Sequence, residues 1–190
     1  MIVKKTTNQL IYASLLDLLR SQELQKITVQ SIMKNCGMST MTFYRHFVDK
    51  SDLIIWHQID VIRPALNGLG SICNWEDFLN VRILSILEEK ALYLSLFNYK
   101  EGHDLYVFTI ENHILPLIKE KLLQLNHKEI LSPQEDFCLR YYIMSTALCS
   151  INWVIKESDT PVNLSLEQLL FNLVNVIPSD IRTLFDFPNL

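Results

Sequence analysis

Apolar residues recur at intervals of three and four along most of the chain, which is the spacing that places side chains on one face of an α-helix. Over residues 6–21 this stripe contains Ile11, Leu15, Leu18 and Leu19. The periodicity continues through segments rich in Leu, Ile, Lys, Glu and Gln, and only four glycines interrupt the 190 residues. The pattern therefore predicts an all-α chain.

Polar residues and a glycine divide the following segment into two short helices. Thr28 is a suitable N-cap for a helix over residues 29–35, and Gly37 follows at a position where a positive φ is tolerated. Ser39 is a suitable N-cap for a further helix over residues 40–47. With the stripe described above, three short helices are predicted at the N-terminal end of the chain.

Longer helices are predicted in the remainder of the chain, for a total of about nine, and no strand pattern, repeat or low-complexity segment is present. Pro116 lies inside one of them and is expected to bend or restart it, because proline lacks an N–H group and its ring clashes with the preceding turn. The later helices are predicted over residues 50–66, 74–92 with Asn74 as N-cap, 93–98, 103–125, 133–156 and 163–177.

The three N-terminal helices have the order and spacing of a DNA-binding helix-turn-helix, with a support helix, a tight turn at Gly37 and a recognition helix opened by Ser39. Phe43 and Phe47 lie four residues apart, so we expect them to pack inward against Ile32 and the first helix. The alternative is a plain three-helix packing unit with a solvated charged face. DNA binding is favoured because folding alone explains poorly an exposed aromatic beside an arginine.

The opposite face of the recognition helix carries the residues predicted to contact DNA. Arg45 can hydrogen-bond a guanine edge or a phosphate, while Thr40 and Met41, near the helix start, can reach base edges. Hydroxyl, imidazole and ammonium groups nearby suit phosphate contacts, which position a helix without reading sequence. The complete predicted set is Thr28, Ser39, Thr40, Met41, Thr42, Tyr44, Arg45, His46 and Lys50.

Charge is distributed unevenly along the chain, although the net charge is only −4. Up to Asp52 there are seven Lys or Arg against four Asp or Glu, a net charge of +3, and the remainder carries −7. A basic N-terminal segment on an acidic body favours a polyanionic partner at one end of the molecule. Double-stranded DNA is therefore the expected partner.

Composition adds expectations about assembly and compartment. Hydrophobic residues make up 49% of the chain, which leaves surplus apolar surface and predicts an oligomer. The four cysteines are scattered without a C-x-x-C motif, so we expect reduced side chains and no metal site. There is no secretory pattern and no apolar run of the ~18 residues that a membrane span needs. The protein is therefore expected to be cytoplasmic, with no membrane association.

The segment "ITVQSIMKNCGMSTMTFYRHFVDKSDLI" resembles the N-terminal domain of the TetR family of bacterial transcriptional regulators. Two positions depart from the family pattern. Met41 stands where many members have Gly or Ala, which is expected to alter base preference, and Glu23-Leu24 lacks a common Gly. The residues that fill motif positions are Thr28, Val29, Ile32, Gly37, Ser39, Thr42, Phe43, Tyr44, His46, Phe47, Lys50 and Leu53.

The resemblance implies a homodimer that reads a pseudo-palindromic operator in successive major grooves. It implies a DNA-binding domain over residues 1–48 and a helical dimerisation and effector domain over residues 49–190. Most such proteins are repressors released by an effector. The C-terminal half is similar to a subgroup with a short C-terminal domain that includes the activator of dihydroxyacetone kinase operons, so activation through a partner protein is the alternative.

The same resemblance implies that the last two long helices form a four-helix bundle across the dimer axis. Their apolar faces fit this arrangement, whereas the alternative is an intramolecular core. A homodimer is favoured because the chain is short and apolar enough to need covering. The predicted interface residues are Tyr142, Thr146, Cys149, Trp153, Leu166, Leu169, Leu170 and Leu173.

A ligand site is a weaker expectation, since aromatic residues at helical spacing belong more often to a core. The candidate ligand-binding residues are Trp56, His57, Trp75, His103, Tyr106 and His113. The histidines lack the spacing of a metal site, and no cofactor is expected. An enzyme is not expected, because no nucleophile with a base, no paired carboxylates and no glycine-rich cofactor loop are evident. A helical protein-interaction or ligand-binding dimer without specific DNA binding is the rival from another class.

Overall fold

The computed structural model describes residues 5–98, 100–155 and 164–186. The predicted all-α fold is confirmed: the regular elements in these ranges are helices, with an isolated β-bridge between Leu69 and Cys73. A π-helical segment, Ile110–Ile114, joins α7 to α8, and a 3-10 turn, Thr183–Phe185, follows α11. The helices are α1 Thr7–Leu19, α2 Val29–Asn35, α3 Thr40–Tyr44, α4 Lys50–Gly68, α5 Trp75–Glu88, α6 Lys90–Phe97, α7 Lys100–Thr109, α8 Leu115–Leu125, α9 Pro133–Ile155, α10 Leu166–Asn175 and α11 Ser179–Arg182.

Side-chain caps begin the short helices where the sequence predicts them. The Thr28 hydroxyl accepts from the backbone N–H of Ser31 at 3.1 Å and starts α2. The Ser39 hydroxyl accepts from the N–H of Thr42 at 3.2 Å and starts α3, and Asn74 caps α5. Each cap satisfies an N–H group that has no partner within the helix, a contribution of about 1 kcal/mol.

The turn between α2 and α3 is built on Gly37, whose φ is +70°. Its N–H donates to the carbonyl of Lys34, and the N–H of Met38 donates to that of Met33 at 2.9 Å. This pair of bonds is a Schellman motif, which needs a left-handed residue after the helix end. The α3 helix is shorter than predicted because its last turn tightens, with the N–H of His46 bonded to the carbonyl of Phe43 three residues before it.

The expected restart of a helix at Pro116 is confirmed. The N–H of Leu115 donates to the carbonyl of Ile110, five residues earlier, in the π-helical segment just before the proline. Proline cannot donate to a preceding carbonyl, so a widened turn at this point accommodates it. This division and the short α11 explain why the described residues contain more helices than the nine predicted for the chain.

The chain divides into two units that differ from the predicted domains. Unit 1 comprises Met1–Asp60 and Ala91–Leu105, and unit 2 comprises Val61–Lys90 and Tyr106–Leu190. The predicted boundary after residue 48 does not coincide with this division. The first turn of α4 is bonded to the segment before it, since the N–H of Val48 donates to the Asp52 carboxylate at 2.9 Å.

In unit 1, α1, α2 and α3 share an apolar core that includes Ile11, Leu15 and Ile32. Phe43 and Phe47 are 0% and 4% exposed, so the predicted inward face of the recognition helix is confirmed. The Ser14 hydroxyl, buried on α1, donates to the carbonyl of Ile32 at 2.7 Å and fixes α2 against α1. Leu18 and Leu19, also expected in this core, are half-buried.

In unit 2, a chain of hydrogen bonds joins α5, α9 and α10. The indole N–H of Trp75 donates to the Tyr142 hydroxyl at 2.8 Å, and that hydroxyl donates to the carbonyl of Leu173 at 2.9 Å. Burial raises the pKa of Tyr142 to about 12, so the phenol keeps its proton at neutral pH. Phe185 completes an aromatic cluster with Trp75 and Tyr142, at ring distances of 4.7 and 5.6 Å.

Candidate nucleic-acid interface

The outer face of α3 and the turn after it present large side chains to solvent. Met41 is 67% and Tyr44 62% exposed, and Thr40, Arg45 and His46 are exposed beside them. The buried Phe43 and Phe47 hold the opposite face in the core, so the orientation of this surface is fixed by packing. Because folded monomers seldom expose such a group together, the face is a candidate contact surface.

Met41 and Arg45 lie one turn apart on this face and are in contact. The Arg45 Nη2 atom is 4.0 Å from the Met41 sulfur, a weak interaction between residues four apart. The thioether therefore flanks one edge of the guanidinium. The remaining N–H groups of a guanidinium form a planar fork that suits a guanine edge or a phosphate.

Three of the residues predicted to contact DNA carry hydroxyl groups and lie at or near the starts of α2 and α3. Thr28 and Ser39 are the N-caps of α2 and α3, and the Ser39 and Thr42 hydroxyl oxygens are 3.0 Å apart. The Thr28 oxygen uses a lone pair in its cap, which leaves the hydroxyl proton able to donate to a phosphate. Their contacts with DNA remain predictions, whereas their role in starting the helices is observed.

Lys50 is placed differently from the other predicted contacts. Its Nζ donates to the carbonyl of Leu24 and, at 2.8 Å, to that of Ile27. Partial burial lowers the pKa of the Lys50 ammonium. Two of its three N–H groups are thus used to hold the segment before α2 against the start of α4. At most the third N–H group of the Lys50 ammonium is left for the predicted contact with a DNA phosphate.

Ser95 also holds this segment and was not predicted from the sequence. Its hydroxyl on α6 accepts from the N–H of Leu24 at 3.0 Å, within unit 1. Leu24 itself is fully buried. The two residues are separated by 71 positions, so periodicity and caps, which are local signals, do not predict the bond.

Five residues of the predicted dimer face are buried within the monomer. Tyr142, Thr146, Leu169, Leu170 and Leu173 are each at most 6% exposed within the monomer, where they pack into the core of unit 2. This burial favours the intramolecular alternative for them, with Tyr142 on α9 bonded to Trp75 on α5 and to Leu173 on α10. Among the other three, Cys149 is exposed and Trp153 and Leu166 are half-buried.

A different face of α9 is open to solvent. A shallow groove on this face, completed by Arg140 and Ser145, is lined mainly by Phe137 and Tyr141, which are 66% and 64% exposed, and by Met144 and Leu148. The spacing of four, three and four residues keeps all of them on one stripe of the helix. On α10, Phe171 is exposed on a surface with Gln168 and Asn172.

Two of the predicted ligand residues line one cavity in unit 2. Trp75 and Tyr106 contribute to its wall together with Arg82 and Thr146, and its volume is about 30 Å³. Sequence reasoning did not select Arg82, although it is an isolated cation in the apolar run "VRILSIL". Thr146 was assigned instead to the dimer face.

Trp56 and His57, two other predicted ligand residues, belong to unit 1. The imidazole of His57 stacks on the ring of Tyr12, with centroids 3.5 Å apart. The Trp56 ring lies 5.7 Å from that of Phe47. Both residues therefore pack among the aromatic side chains of unit 1.

The two remaining predicted ligand residues are histidines at the margins of aromatic pairs. His103 is exposed, with its ring 5.2 Å from that of Phe97, and half-buried His113 lies 5.6 Å from Phe108. Within the described ranges, no three His, Cys, Asp or Glu side chains are grouped so that they could hold a metal ion. In the same part of the chain, none of the helices combines the length and apolar character needed to cross a bilayer.

No protein-family profile matches the chain, and no curated protein is significantly similar to it. Solved structures are similar in fold. The dihydroxyacetone kinase operon activator DhaS is 21% identical, with a TM-score of 0.62 over 95% of this chain and 98% of that one. A TetR transcriptional regulator from Rhodococcus sp. RHA1 is 15% identical, with a TM-score of 0.57 over 86% and 89%.

The fatty acid degradation regulator FadR from Bacillus halodurans is 17% identical, with a TM-score of 0.50 over 90% of this chain and 96% of that one. At these identities the likeness concerns the fold. The helix-turn-helix built on Gly37, the aromatic core behind α3 and the all-helical remainder agree with it. The chain has the all-α fold of TetR-type transcriptional regulators.

Proposed function

We propose that this protein is a homodimeric, sequence-specific DNA-binding regulator of the TetR type. The observation that carries the proposal is the exposed face of α3, where Met41, Tyr44 and Arg45 project from a helix whose other face is locked in the core. A short helix presented in this way matches the reading element of a helix-turn-helix in the major groove. The excess of positive charge before residue 53 supports a polyanionic partner on this side of the chain.

The residues of this face divide into two kinds of contact. Arg45 reads a guanine edge, with the Met41 thioether alongside it and able to touch a thymine methyl. Thr28, Thr42, Tyr44 and His46 contact phosphates and set the register of α3 on the duplex. Base preference is therefore concentrated in the Met41–Arg45 pair.

Dimerisation uses the exposed stripe of α9 and not the buried face predicted from the sequence. Phe137, Tyr141, Met144 and Leu148 repeat at intervals of three and four, as in helices that pack at a small crossing angle. Two copies related by a twofold axis cover these stripes and present two recognition helices to an operator of matching symmetry.

The default mode of action is repression relieved by an effector, which shifts the dimer between conformations of different operator affinity. Activation through a partner protein is the second candidate. The observation in its favour is the similarity in fold to a structure named as an operon activator, at a TM-score of 0.62. An in vitro transcription assay on the selected operator distinguishes the two by the sign of the change.

The first test is selection of duplexes from a random pool by the full-length chain, followed by binding measurements over a salt series. A sequence-specific regulator is expected to prefer its selected palindrome over random DNA by about 4–10 kcal/mol and to show a steep salt dependence. If no selected duplex binds better than random DNA, the proposal fails. The rival reading, a helical interaction or ligand-binding dimer, then takes its place.

Arg45→Ala tests the base-reading role on the selected operator. Loss of about 1–3 kcal/mol is expected, with relaxed preference at one base pair in each half-site. Arg63→Ala is the matched control, since it removes the same charge from an exposed position in unit 2. Equal weakening of all duplexes by Arg45→Ala would instead identify a phosphate contact.

A further inference from the structure

We propose that Met41 is a site of reversible oxidation, and that conversion of its thioether to the sulfoxide draws Arg45 away from the DNA and weakens operator binding. This inference rests on the function proposed above, because it concerns the same exposed face of α3. The oxidation of Met41 and its effect on Arg45 can both be measured without DNA. Failure of the inference and failure of the proposed function are therefore distinguishable.

Exposure sets Met41 apart from the other methionines that the structure describes. Met41 is 67% exposed, whereas Met33 is fully buried and Met38 and Met144 are half-buried. Met144 also lies on the α9 stripe that the proposed dimer covers. An oxidant in solution reaches an exposed sulfur more readily than a buried one. Among the described methionines, Met41 is therefore the one most open to oxidation.

The neighbour of the Met41 sulfur gives its oxidation a consequence. Met41 lies in α3 and Arg45 is the residue that ends this helix, so the two side chains are one turn apart on the same face. The Arg45 Nη2 atom is 4.0 Å from the sulfur. In the part of the chain that the structure describes, no carboxylate pairs with Arg45. A stronger acceptor on the sulfur therefore meets no competing ion pair.

Oxidation changes the sulfur from a weak acceptor into the carrier of a strong one. A thioether accepts hydrogen bonds only weakly, so the N–H groups of Arg45 stay available to DNA. The sulfoxide is a polar, chiral group whose oxygen accepts hydrogen bonds, and bonds from an ionised donor are stronger than those between neutral groups. The sulfoxide oxygen then binds the edge of the guanidinium nearest Met41 and holds it against α3.

The oxidant that this step needs is a peroxide. A lone pair of the Met41 sulfur attacks one peroxide oxygen, so that an S–O bond forms as the O–O bond breaks. With hydrogen peroxide, the second oxygen leaves as water after taking the proton from the transferred oxygen. The sulfur loses two electrons and the peroxide gains them. Reduction back to the thioether requires a methionine sulfoxide reductase.

Oxidation removes the two base contacts proposed for this face and leaves its phosphate contacts in place. Arg45 no longer presents its N–H groups to a guanine, and a polar oxygen replaces the apolar surface beside a thymine methyl. The proposed phosphate contacts of Thr28, Tyr44 and His46 do not involve the sulfur. Oxidation should therefore lower affinity for the operator more than affinity for random DNA. By linkage, bound operator should protect Met41 from oxidation.

The first measurement is the rate of oxidation at each methionine. Full-length protein is treated with hydrogen peroxide and then with dithiothreitol, which reverses oxidation of cysteine to disulfide or sulfenic acid but leaves the methionine sulfoxide. Peptide mass spectrometry over time should show Met41 converting at least about twofold faster than Met38 and Met144, in line with its exposure. Equal rates at the three residues would overturn the assignment of Met41 as the site.

The guanidinium signals of Arg45 report the new contact in the absence of DNA. They are identified in a nitrogen–proton magnetic resonance spectrum by their loss in Arg45→Lys. Oxidation of the wild type should shift them, because the N–H groups exchange a weak sulfur acceptor for an oxygen. The signals of Arg63, an exposed residue of unit 2, are the control and should stay in place. Unchanged Arg45 signals at full conversion of Met41 would overturn the contact.

Binding to the selected operator is then compared before and after oxidation. The wild type is expected to lose about tenfold or more in affinity for the operator, and less than about twofold for random DNA. Met41→Leu keeps an apolar side chain but cannot form a sulfoxide, so peroxide should not change its affinity, whatever the starting value. Met38→Leu is the matched control, since it removes a half-buried methionine of the same unit and should leave the response to peroxide intact.

The variants separate oxidation of Met41 from damage elsewhere. An equal loss of operator affinity in Met41→Leu would assign the peroxide effect to another residue and overturn the inference. Full conversion of Met41 without loss of operator affinity would overturn it while the regulator proposal stands. If the untreated protein selects no operator, the proposed function fails and the effect on operator binding fails with it. The oxidation rates and the Arg45 signals then still support or overturn the modification site.

Discussion

The helices α3 and α9 both present large side chains to solvent, but their surroundings differ in chemistry. Met41 and Tyr44 on α3 are 67% and 62% exposed, and Phe137 and Tyr141 on α9 are 66% and 64% exposed. On α3 the neighbours include the Arg45 guanidinium, which contacts the Met41 sulfur, and the Ser39 and Thr42 hydroxyl groups. The groove on α9 also includes a guanidinium and a hydroxyl, but Arg140 donates to the Glu111 carboxylate and Ser145 to the carbonyl of Tyr142, so the open part of that groove is apolar. Exposure alone therefore marks both as contact surfaces, and the neighbouring groups indicate which partner each one suits.

The largest expected effect comes from the residue that fixes the orientation of the α3 surface. Phe43→Ala should lower the free energy of unfolding by about 3–5 kcal/mol, because a fully buried ring is removed from the core of unit 1. Chemical denaturation followed by circular dichroism measures the loss. Operator binding should disappear at the same time.

Tyr44→Ala is the matched control, since it removes the neighbouring exposed ring on the opposite face. Its effect on stability should stay within about 0.5 kcal/mol, as for most surface substitutions, while operator binding weakens. If Phe43→Ala kept both its melting temperature and operator binding, the assignment of inward and outward faces to α3 would be wrong.

The corresponding test on α9 concerns self-association. Tyr141→Asp should weaken the dimer by about 2–4 kcal/mol or more, because it places a charge at the centre of the apolar stripe while leaving the monomer core untouched. Sedimentation equilibrium measures the dissociation constant. Ile72→Asp, at a position that is 85% exposed outside the stripe, is the control and should leave the dimer intact.

If Tyr141→Asp left the dimer intact, the exposed stripe of α9 would not be the dimer interface. The exposed groove of α9 would then have another occupant or none. The salt dependence adds a second distinction, because operator binding through α3 should weaken steeply with salt, whereas burial of an apolar stripe should not.

The two helices also differ in how well the sequence predicts their faces. On α3, Ser39 and Gly37 define the ends of the helix, and two phenylalanines four residues apart leave one choice for the buried side. The helix α9 is 23 residues long and has apolar side chains on every side, so periodicity does not select the buried face. The buried Tyr142 and the exposed Tyr141 are adjacent in sequence and of the same type.

Lys50 holds the segment before α2 against the start of α4. Lys50→Ala should lower the free energy of unfolding by about 1.5–3 kcal/mol, since charged hydrogen bonds to the carbonyls of Leu24 and Ile27 are lost. The salt dependence of operator binding should stay unchanged. Lys34→Ala, at an exposed position on α2, is the control for removal of a lysine in the same unit.

If Lys50→Ala left stability unchanged and made operator binding less dependent on salt, Lys50 would contact a phosphate, as predicted from the sequence. The family motif includes this lysine but gives no information about where its ammonium points. Its acceptors lie 23 and 26 residues away, in a segment without regular structure.

The first turns of α3 and α9 should respond differently to pH, and this is the smallest of the expected effects. Ser39 caps α3 with a hydroxyl, whereas Glu135 in the first turn of α9 accepts from the N–H of Ser132 at 2.8 Å. The hydrogen bond from Lys128, followed by those from Ser132, lowers the pKa of Glu135 from its usual 4.5 to about 2. A carboxyl with a lowered pKa stabilises the fold above pH 4.5, and this contribution is lost as the pH falls toward 2.

Nuclear magnetic resonance titration of the Ser132 amide should therefore show a transition with an apparent pKa near 2 that Glu135→Gln removes. The Thr42 amide, which is bonded to the uncharged Ser39 cap, should show no transition of its own in that range. A midpoint near 4.5 for Ser132 would mean that the carboxylate does not hold the start of α9 in solution. The apolar stripe that begins at Phe137 would then follow a frayed first turn, unlike α3, whose start is held by the Ser39 cap.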